Sequence, residues 1–463
     1  MPIPRNELAV LGRQDGKRAA TNRITLLEIA CILFAFCVST AIASPAQMLT
    51  ALHSFTGYPS DGAGLDSALA RGSDGNYYGT TSAGGDNCSP YGCGTVFKIT
   101  PDGTETIIYS FCSQLNCADG EGPYGALVQA PDGNFYGTTN SGADGGGTFF
   151  KITPSGTLTT LYSFCSQRNC ADGRSPNGVV LATDGNFYGV TSGGGSNNNC
   201  TLGCGTIFKI TPGGTLTTLY VFCSENNNCP DGYNAWGLIQ GRDGNFYGAT
   251  GHGGASGNDC GGLGCGTIFK MTPGGTLTTL YSFCPLGNCR LEAPDGQIPN
   301  GKLLQANDGN FYGTTTEGGA NQVGFCAEFG CGTIFKITPN GDLTTLYSFC
   351  SQNNCVDGWN PSAAPVQAAD GNLYGVTYAG GTSRYCDYGC GTIFKITPSG
   401  TLTTLYSFCS SNGCPDGLLP NAALVPAPGG NFYGTTDGDG GSNYGTAFRF
   451  TALHTCAVCP SVE

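Results

Sequence analysis

The chain has 463 residues, with 77 glycines, 25 prolines and only 11% charged residues, too few for long amphipathic helices and suited to many short strands joined by glycine-rich turns. Aromatics reach 11% at regular spacing, which argues against disorder, and glycine shows no period of three, which excludes collagen. A net charge of −13 argues against nucleic acid as a partner.

In chain order the first element reads as an export signal. Arg5, Arg13, Lys17, Arg18 and Arg23 precede an apolar run from Ile24 to Ile42, which ends in the small-residue pattern Ala41-Ile42-Ala43. Residues 1–43 are expected to be a signal peptide. Because Glu28 interrupts the run, an uncleaved anchor is the alternative, and it would be the sole membrane contact. A lone strand follows, Leu49-Thr-Ala-Leu-His-Ser-Phe55.

A repeat organises the rest. Asp-Gly-Asn-aromatic-Tyr-Gly starts at Asp74, Asp132, Asp184, Asp243 and Asp308, recurs with Leu373 at Asp370, and returns as Gly-Gly-Asn-Phe-Tyr-Gly at Gly429. Seven copies spaced 52 to 65 residues apart indicate a propeller or solenoid. Within one copy, Gly237–Gln240, Phe246–Thr250, Gly266–Thr272 and Thr276–Phe283 read as four strands. Asp243-Gly-Asn245 and Pro273-Gly-Gly275 are the tight turns between them. Four such strands make one propeller blade.

The lone strand matches the fourth strand of a repeat, and the last repeat stops after its third, Gly445-Thr-Ala-Phe-Arg-Phe-Thr451. Pairing the two completes a seventh blade and removes open sheet edges. The expected fold is therefore all-β: a seven-bladed β-propeller over residues 44–455, twenty-eight strands in seven sheets, closed by strand 49–55. A tail, 456–463, follows.

Cysteines come in close pairs. Six pairs follow the fourth strand: Cys112 with Cys117, Cys165 with Cys170, Cys223 with Cys229, Cys284 with Cys289, Cys350 with Cys355, and Cys409 with Cys414. Five lie between the second and third strands: Cys88 with Cys93, Cys200 with Cys204, Cys260 with Cys265, Cys326 with Cys331, and Cys386 with Cys390. Cys456 with Cys459 ends the set. Where one member is missing its neighbour is missing too, as expected of local disulfides in an oxidising compartment. Zinc is the rival, but only His53, His252 and His454 are available to join the cysteines. Each small ring is worth on the order of 2 kcal/mol, so the bonds mainly pin loops. Both families emerge on one face, where binding is expected.

The blocks Asp308-Gly-Asn-Phe-Tyr-Gly-Thr-Thr315, Cys331-Gly-Thr-Ile-Phe-Lys-Ile-Thr-Pro339 and Leu343-Thr-Thr-Leu-Tyr-Ser-Phe349, repeated over residues 49–451, resemble the Gloeobacter/Verrucomicrobium tandem repeat. That repeat occurs in the choice-of-anchor, GloVer-repeat group of exported bacterial surface proteins. The resemblance implies an exported bacterial protein without an assigned biochemical role, and it supplies no catalytic residues. Members often end in a sorting signal, which this sequence does not show. Release, or retention by the N-terminal segment, is expected instead.

Repeated chemistry has a structural reading. The loop aspartates Asp61, Asp119, Asp172, Asp231, Asp295, Asp357 and Asp416 are expected to cap turns rather than bind cations. The tyrosine of each Tyr-Gly pair is expected in the inter-blade core, its glycine letting neighbouring sheets approach. Lys98, Lys151, Lys209, Lys270, Lys336, Lys395 and Arg449 share one strand position, expected to be solvated or stacked.

Positions that vary between repeats are the binding candidates. Asp66, Tyr124, Asn177, Trp236, Asn300, Ser362 and Asn421 each lie five residues past the loop aspartate and are expected to ring a channel mouth, with Trp359 in a neighbouring loop. Aromatics among Asn and Asp suit carbohydrate or protein ligands. No cofactor or metal is expected, although Asp437-Gly-Asp-Gly-Gly441 hints at calcium. No Ser-His elbow supports nucleophilic catalysis. A monomeric binding or scaffold module is the favoured function. A carbohydrate-active hydrolase or lyase using acids of the disulfide face is the alternative.

Overall fold

The computed structural model describes residues 48–142, 145–196, 200–224, 229–255, 260, 262–284, 293–321, 326–438 and 444–452. The signal at 1–43, Cys289, residues 439–441 of the calcium-like run and the tail at 456–463, with Cys456 and Cys459, lie outside the described residues. Among the described residues no helix is long and apolar enough to cross a membrane.

The strands form seven antiparallel blades. Blade 4 shows the pattern: Tyr233–Gln240 inside, then Phe246–His252, Thr267–Met271 and Leu277–Ser282 outside. The inner strands of blades 2 to 5 begin earlier than expected, at Glu121, Arg174, Tyr233 and Gln297, each of which already pairs with the second strand, although the next residue (Gly122, Ser175, Asn234, Ile298) turns through a left-handed φ of 52 to 57°. The strand number is also corrected, to 31 among the described residues. In blade 1 Gly62–Ala63 pairs with Ala83–Gly84 as a separate ribbon, and in blade 7 the inner strand is split into Leu418–Pro420 and Val425–Ala427. These interruptions add pieces without adding a blade.

Closure follows the predicted pairing. Met48–Ser54 runs antiparallel to Thr446–Thr451, from Met48 opposite Thr451 to Ser54 opposite Thr446. The Phe55 amide then donates to the Gly445 carbonyl at 3.0 Å.

Two aromatic contacts recur between blades. The tyrosine of the second strand stacks on the first aromatic of the next blade's second strand: Tyr78 on Phe135, Tyr188 on Phe246, Tyr247 on Phe311, with centroids 4.0 to 4.1 Å apart. Tyr433 on Tyr77, at 3.8 Å, repeats this across the closing seam. The phenylalanine after each outer strand meets the third-strand phenylalanine of the next blade edge-on, from Phe55 on Phe97 (5.0 Å) to Phe408 on Phe448 (5.3 Å). Such pairs add roughly 0.5–1.5 kcal/mol each beyond burial.

The glycine after each tyrosine has a different role from the one expected. A Cβ on Gly248 would lie 2.5 Å from Cζ of Phe269, and one on Gly79 would lie 2.4 Å from Cζ of Phe97. Both phenylalanines belong to the glycine's own blade. The missing side chain makes room for the ring that reaches outward to the neighbouring blade, so the close approach is within the sheet.

Candidate functional site

The repeated aspartates are caps. Asp119 is fully buried and accepts from the Tyr109 hydroxyl at 2.7 Å, the Ser113 amide at 2.9 Å and the Gln114 amide at 3.1 Å. Asp172 and Asp357 repeat the pattern. In these blades the carboxylate holds the loop after the outer strand.

That loop carries the first family of cysteines. Cys112 is bonded to Cys117, Cys165 to Cys170, Cys223 to Cys229, Cys350 to Cys355, and Cys409 to Cys414. In the second family Cys88 is bonded to Cys93, Cys200 to Cys204, Cys260 to Cys265, Cys326 to Cys331, and Cys386 to Cys390. Ten of the twelve expected disulfides are thus formed among the described residues. The other two, Cys284 with Cys289 and Cys456 with Cys459, involve residues outside them. These cysteines staple the loops, and Cys204, Cys265, Cys331 and Cys390 are fully buried.

The two families are adjacent. The sulfurs of Cys88, Cys93, Cys112 and Cys117 lie within 4.8 Å of one another, as do those of Cys200, Cys204, Cys223 and Cys229. They share one face, as topology requires.

The seven variable positions converge. Asp66, Tyr124, Asn177, Trp236, Asn300, Ser362 and Asn421 line a single cavity of about 330 Å³ between the inner strands. A second cavity of about 480 Å³ opens beside it and shares Trp236, Asn300, Ser362 and Asn421. Its rim comes from the disulfide-face loops, including Cys326, Phe329 and Trp359.

Several of these polar groups are already engaged by the next blade. Asn177 Nδ2 donates to the Ala235 carbonyl at 2.9 Å, and Asn300 Nδ2 to the Ser362 carbonyl at 3.0 Å. Ser362 Oγ donates to the Pro420 carbonyl at 3.2 Å, and Asn421 Nδ2 reaches Asp66 Oδ1 at 3.5 Å. These side chains clasp the ring from inside while lining the cavity. Trp359, half-buried, is tied to the neighbouring loop, its Nε1 donating to the Tyr388 carbonyl at 3.1 Å. Trp236 differs: its ring lines both cavities while its Nε1 is buried without a hydrogen-bond partner.

The mouth is acidic. Burial, then the charge of Asp66, pushes the Asp437 carboxyl above its ordinary range, partly offset by a hydrogen bond from Tyr378. Burial likewise raises Glu317 on the same rim. One cation sits deeper. Lys302 extends its stem over Gly237, and Nζ donates to the Val179 carbonyl at 3.3 Å, a span from blade 5 to blade 3. Burial pulls its ammonium pKa down.

Lys302, Tyr378, Glu317 and the cavity role of Asp437 were missed from sequence. Lys302 had a readable signal: two residues past each variable position stand Ala68, Ala126, Val179, Leu238, Ala364 and Ala423, and Lys302 alone is charged. The other three come from the second strand's end, where a repeat comparison shows only scatter. Of the shared lysines, Lys209 and Lys270 pair with Asp184 and Asp243 at 2.9 and 3.0 Å and lie over Tyr188 and Tyr247.

Residues 68–327 and 261–459 match the model of the Gloeobacter/Verrucomicrobia repeat. Among curated proteins nothing matches the sequence significantly. Of solved structures, the extracellular domain described for a hybrid two-component system of B. thetaiotaomicron is similar at 12% identity and a TM-score of 0.50, over 88% of this chain and 41% of that one. The PQQ-bound aldose sugar dehydrogenase of Streptomyces coelicolor is similar at 14% identity and a TM-score of 0.40, over 71% of this chain and 93% of that one. The chain thus spans less than half of the first of these proteins. At such identities the likeness shows the fold alone.

Proposed function

We propose that this chain, which belongs to the Gloeobacter/Verrucomicrobia repeat family, is an exported binding module that takes a carbohydrate or protein ligand at the channel mouth of its disulfide face. Export is supported by ten short-range disulfides, which persist in oxidising compartments. One observation carries the binding reading: the loop aspartates, second-strand tyrosines and tight turns that the repeats share serve as caps, stacks and turns, whereas the seven variable positions of the inner-strand segments meet in one cavity. The rim supplies Trp236, Phe329 and Tyr378 as flat apolar surface beside Asp437 and Glu317 as acceptors. That mixture suits hydroxyl-rich rings, which stack on aromatics and donate to carboxylates.

Glycan-array screening of the purified protein, followed by calorimetry on any hit, tests this. Trp236→Ala is expected to weaken binding tenfold or more, roughly the loss of one stacking contact and one donor, with an unchanged melting temperature. Binding that survives this change, or no binding to any glycan or protein partner, removes the reading.

A second reading rests on the raised Asp437 and Glu317. Carboxyls whose pKa burial raises in a concave site are general-acid candidates, which fits a carbohydrate-active enzyme. A bound glycan that is turned over, with turnover lost in Asp437→Asn, would establish it in place of simple binding.

A further inference from the structure

Six of the seven outer strands end in Tyr-Ser-Phe or Tyr-Val-Phe, and the tyrosine hydroxyl donates to the loop aspartate ahead at 2.7 to 2.9 Å. The closing strand carries His53 at that position, with Nε2 3.1 Å from Asp61 Oδ2. The outer strand of blades 2 to 6 opens with leucine, at Leu158, Leu216, Leu277, Leu343 and Leu402, opposite the last residue of the third strand. Blade 1 alone places Glu105 there, opposite Ile99. Elsewhere that leucine packs near the preceding blade's tyrosine, as Leu158 joins the cluster of Tyr109. At the seam, the two departures therefore face each other.

A third departure coincides with them. The loop after the closing strand, Thr56-Gly-Tyr-Pro59, has no cysteine pair, although the same loop has one after each of the six other outer strands. The seam that joins the two ends of the chain is the one without this staple.

The geometry points to a divalent-metal site, of the zinc class, formed by His53, Asp61 and Glu105 across the closing seam. Their ligand atoms all lie within 4.8 Å of one another. The Glu105 Oε1 is buried without a hydrogen-bond partner. A buried carboxylate oxygen is destabilising unless something pairs with it. Zinc ligands sit about 2 Å from the ion, so their atoms stand roughly 3 to 4 Å apart; His53 Nε2 and Asp61 Oδ2 already stand at 3.1 Å, and Glu105 lies within 4.8 Å of both. Imidazole with two carboxylates is a donor set suited to zinc or another first-row divalent ion, and three protein ligands leave one position for water. The ion would tie the first strand of the propeller to blade 1, in the place the missing disulfide leaves.

The test uses the purified full chain, stripped with a chelator and titrated with zinc chloride by calorimetry, with thermal melts in parallel. Wild type is expected to bind one equivalent at the seam and to melt higher with zinc. The double variant H53Y/E105L restores the repeat's own pair, so it folds, and its melting is expected to ignore zinc. Glu105→Gln keeps the shape and should lower zinc affinity roughly tenfold or more while leaving the metal-free melt near wild type. The proposal is overturned if stripped wild type shows no saturable zinc binding. It is equally overturned if H53Y/E105L takes up the same zinc with the same rise in melting temperature, because the ion then sits elsewhere, as on the tail that carries Cys456 and Cys459.

Discussion

At the scale of single residues, the repeat is held by side chains that serve two neighbours at once. Each turn aspartate accepts from the asparagine two residues on and from the tyrosine four residues on, as Asp74 does from Asn76 Nδ2 at 2.7 Å and Tyr78 at 2.9 Å. Burial pushes Asp74 up, but the Asn76 and Tyr78 hydrogen bonds outweigh it and hold the carboxyl below 3.8. Asp132 and Asp308 show the same balance. A carboxylate whose folded pKa is depressed stabilises the fold above its unfolded pKa and loses that contribution as pH falls through the folded one. Melting temperature is thus expected to hold above about pH 4 and to drop below it. The slope should flatten when Asp74, Asp132 and Asp308 are changed to Asn, as thermal scans from pH 2 to 6 will show. Gly248 offers a second check. Gly248→Ala pushes a methyl into the Phe269 ring and is expected to cost about 1–3 kcal/mol in denaturant unfolding, the usual range for overpacking. An unaltered midpoint would show that the ring has room to move.

At the scale of elements, the division of labour runs between sheet and loop. The strands bury aromatics toward neighbouring blades, and the disulfides close rings of a few residues on one face. Reduction is therefore expected to leave the far-ultraviolet circular dichroism of the sheets intact while making the disulfide-face loops sensitive to protease. Collapse of the β signal under mild reductant would give the cross-links a larger role than their ring size allows. The inner strands carry both a structural and a recognition duty. Asn177 and Ser362 sit 9% and 8% exposed and bind the next blade, so changes there weaken the ring as well as the cavity, whereas Trp236 separates the two.

At the scale of the whole molecule, ring closure rests on Met48–Ser54 and on Phe55, which is fully buried against Phe97. Phe55→Ala is expected to cost about 3–5 kcal/mol. Deleting residues 48–55 bares the Thr446–Thr451 edge and is expected to produce association visible in size-exclusion chromatography. A deletion variant that stays monomeric and melts like wild type would mean that the strand is dispensable.

Blade number, closing strand, the ten described cysteine pairs and the variable residues that meet in one cavity were all legible in the linear sequence. They are local or nearest-neighbour features, and a repeat writes each of them several times over. What had to await the folded ring are contacts made once. Lys302 reaches Val179 across 123 positions. His53, Asp61 and Glu105 meet where strands from the two sides of the seam come together. The Gly248 contact was misassigned because periodicity marks a small residue without saying which ring fills the space. Periodicity averages over blades, so it reports what every interface shares; only the closed circle decides which exceptional residues become neighbours.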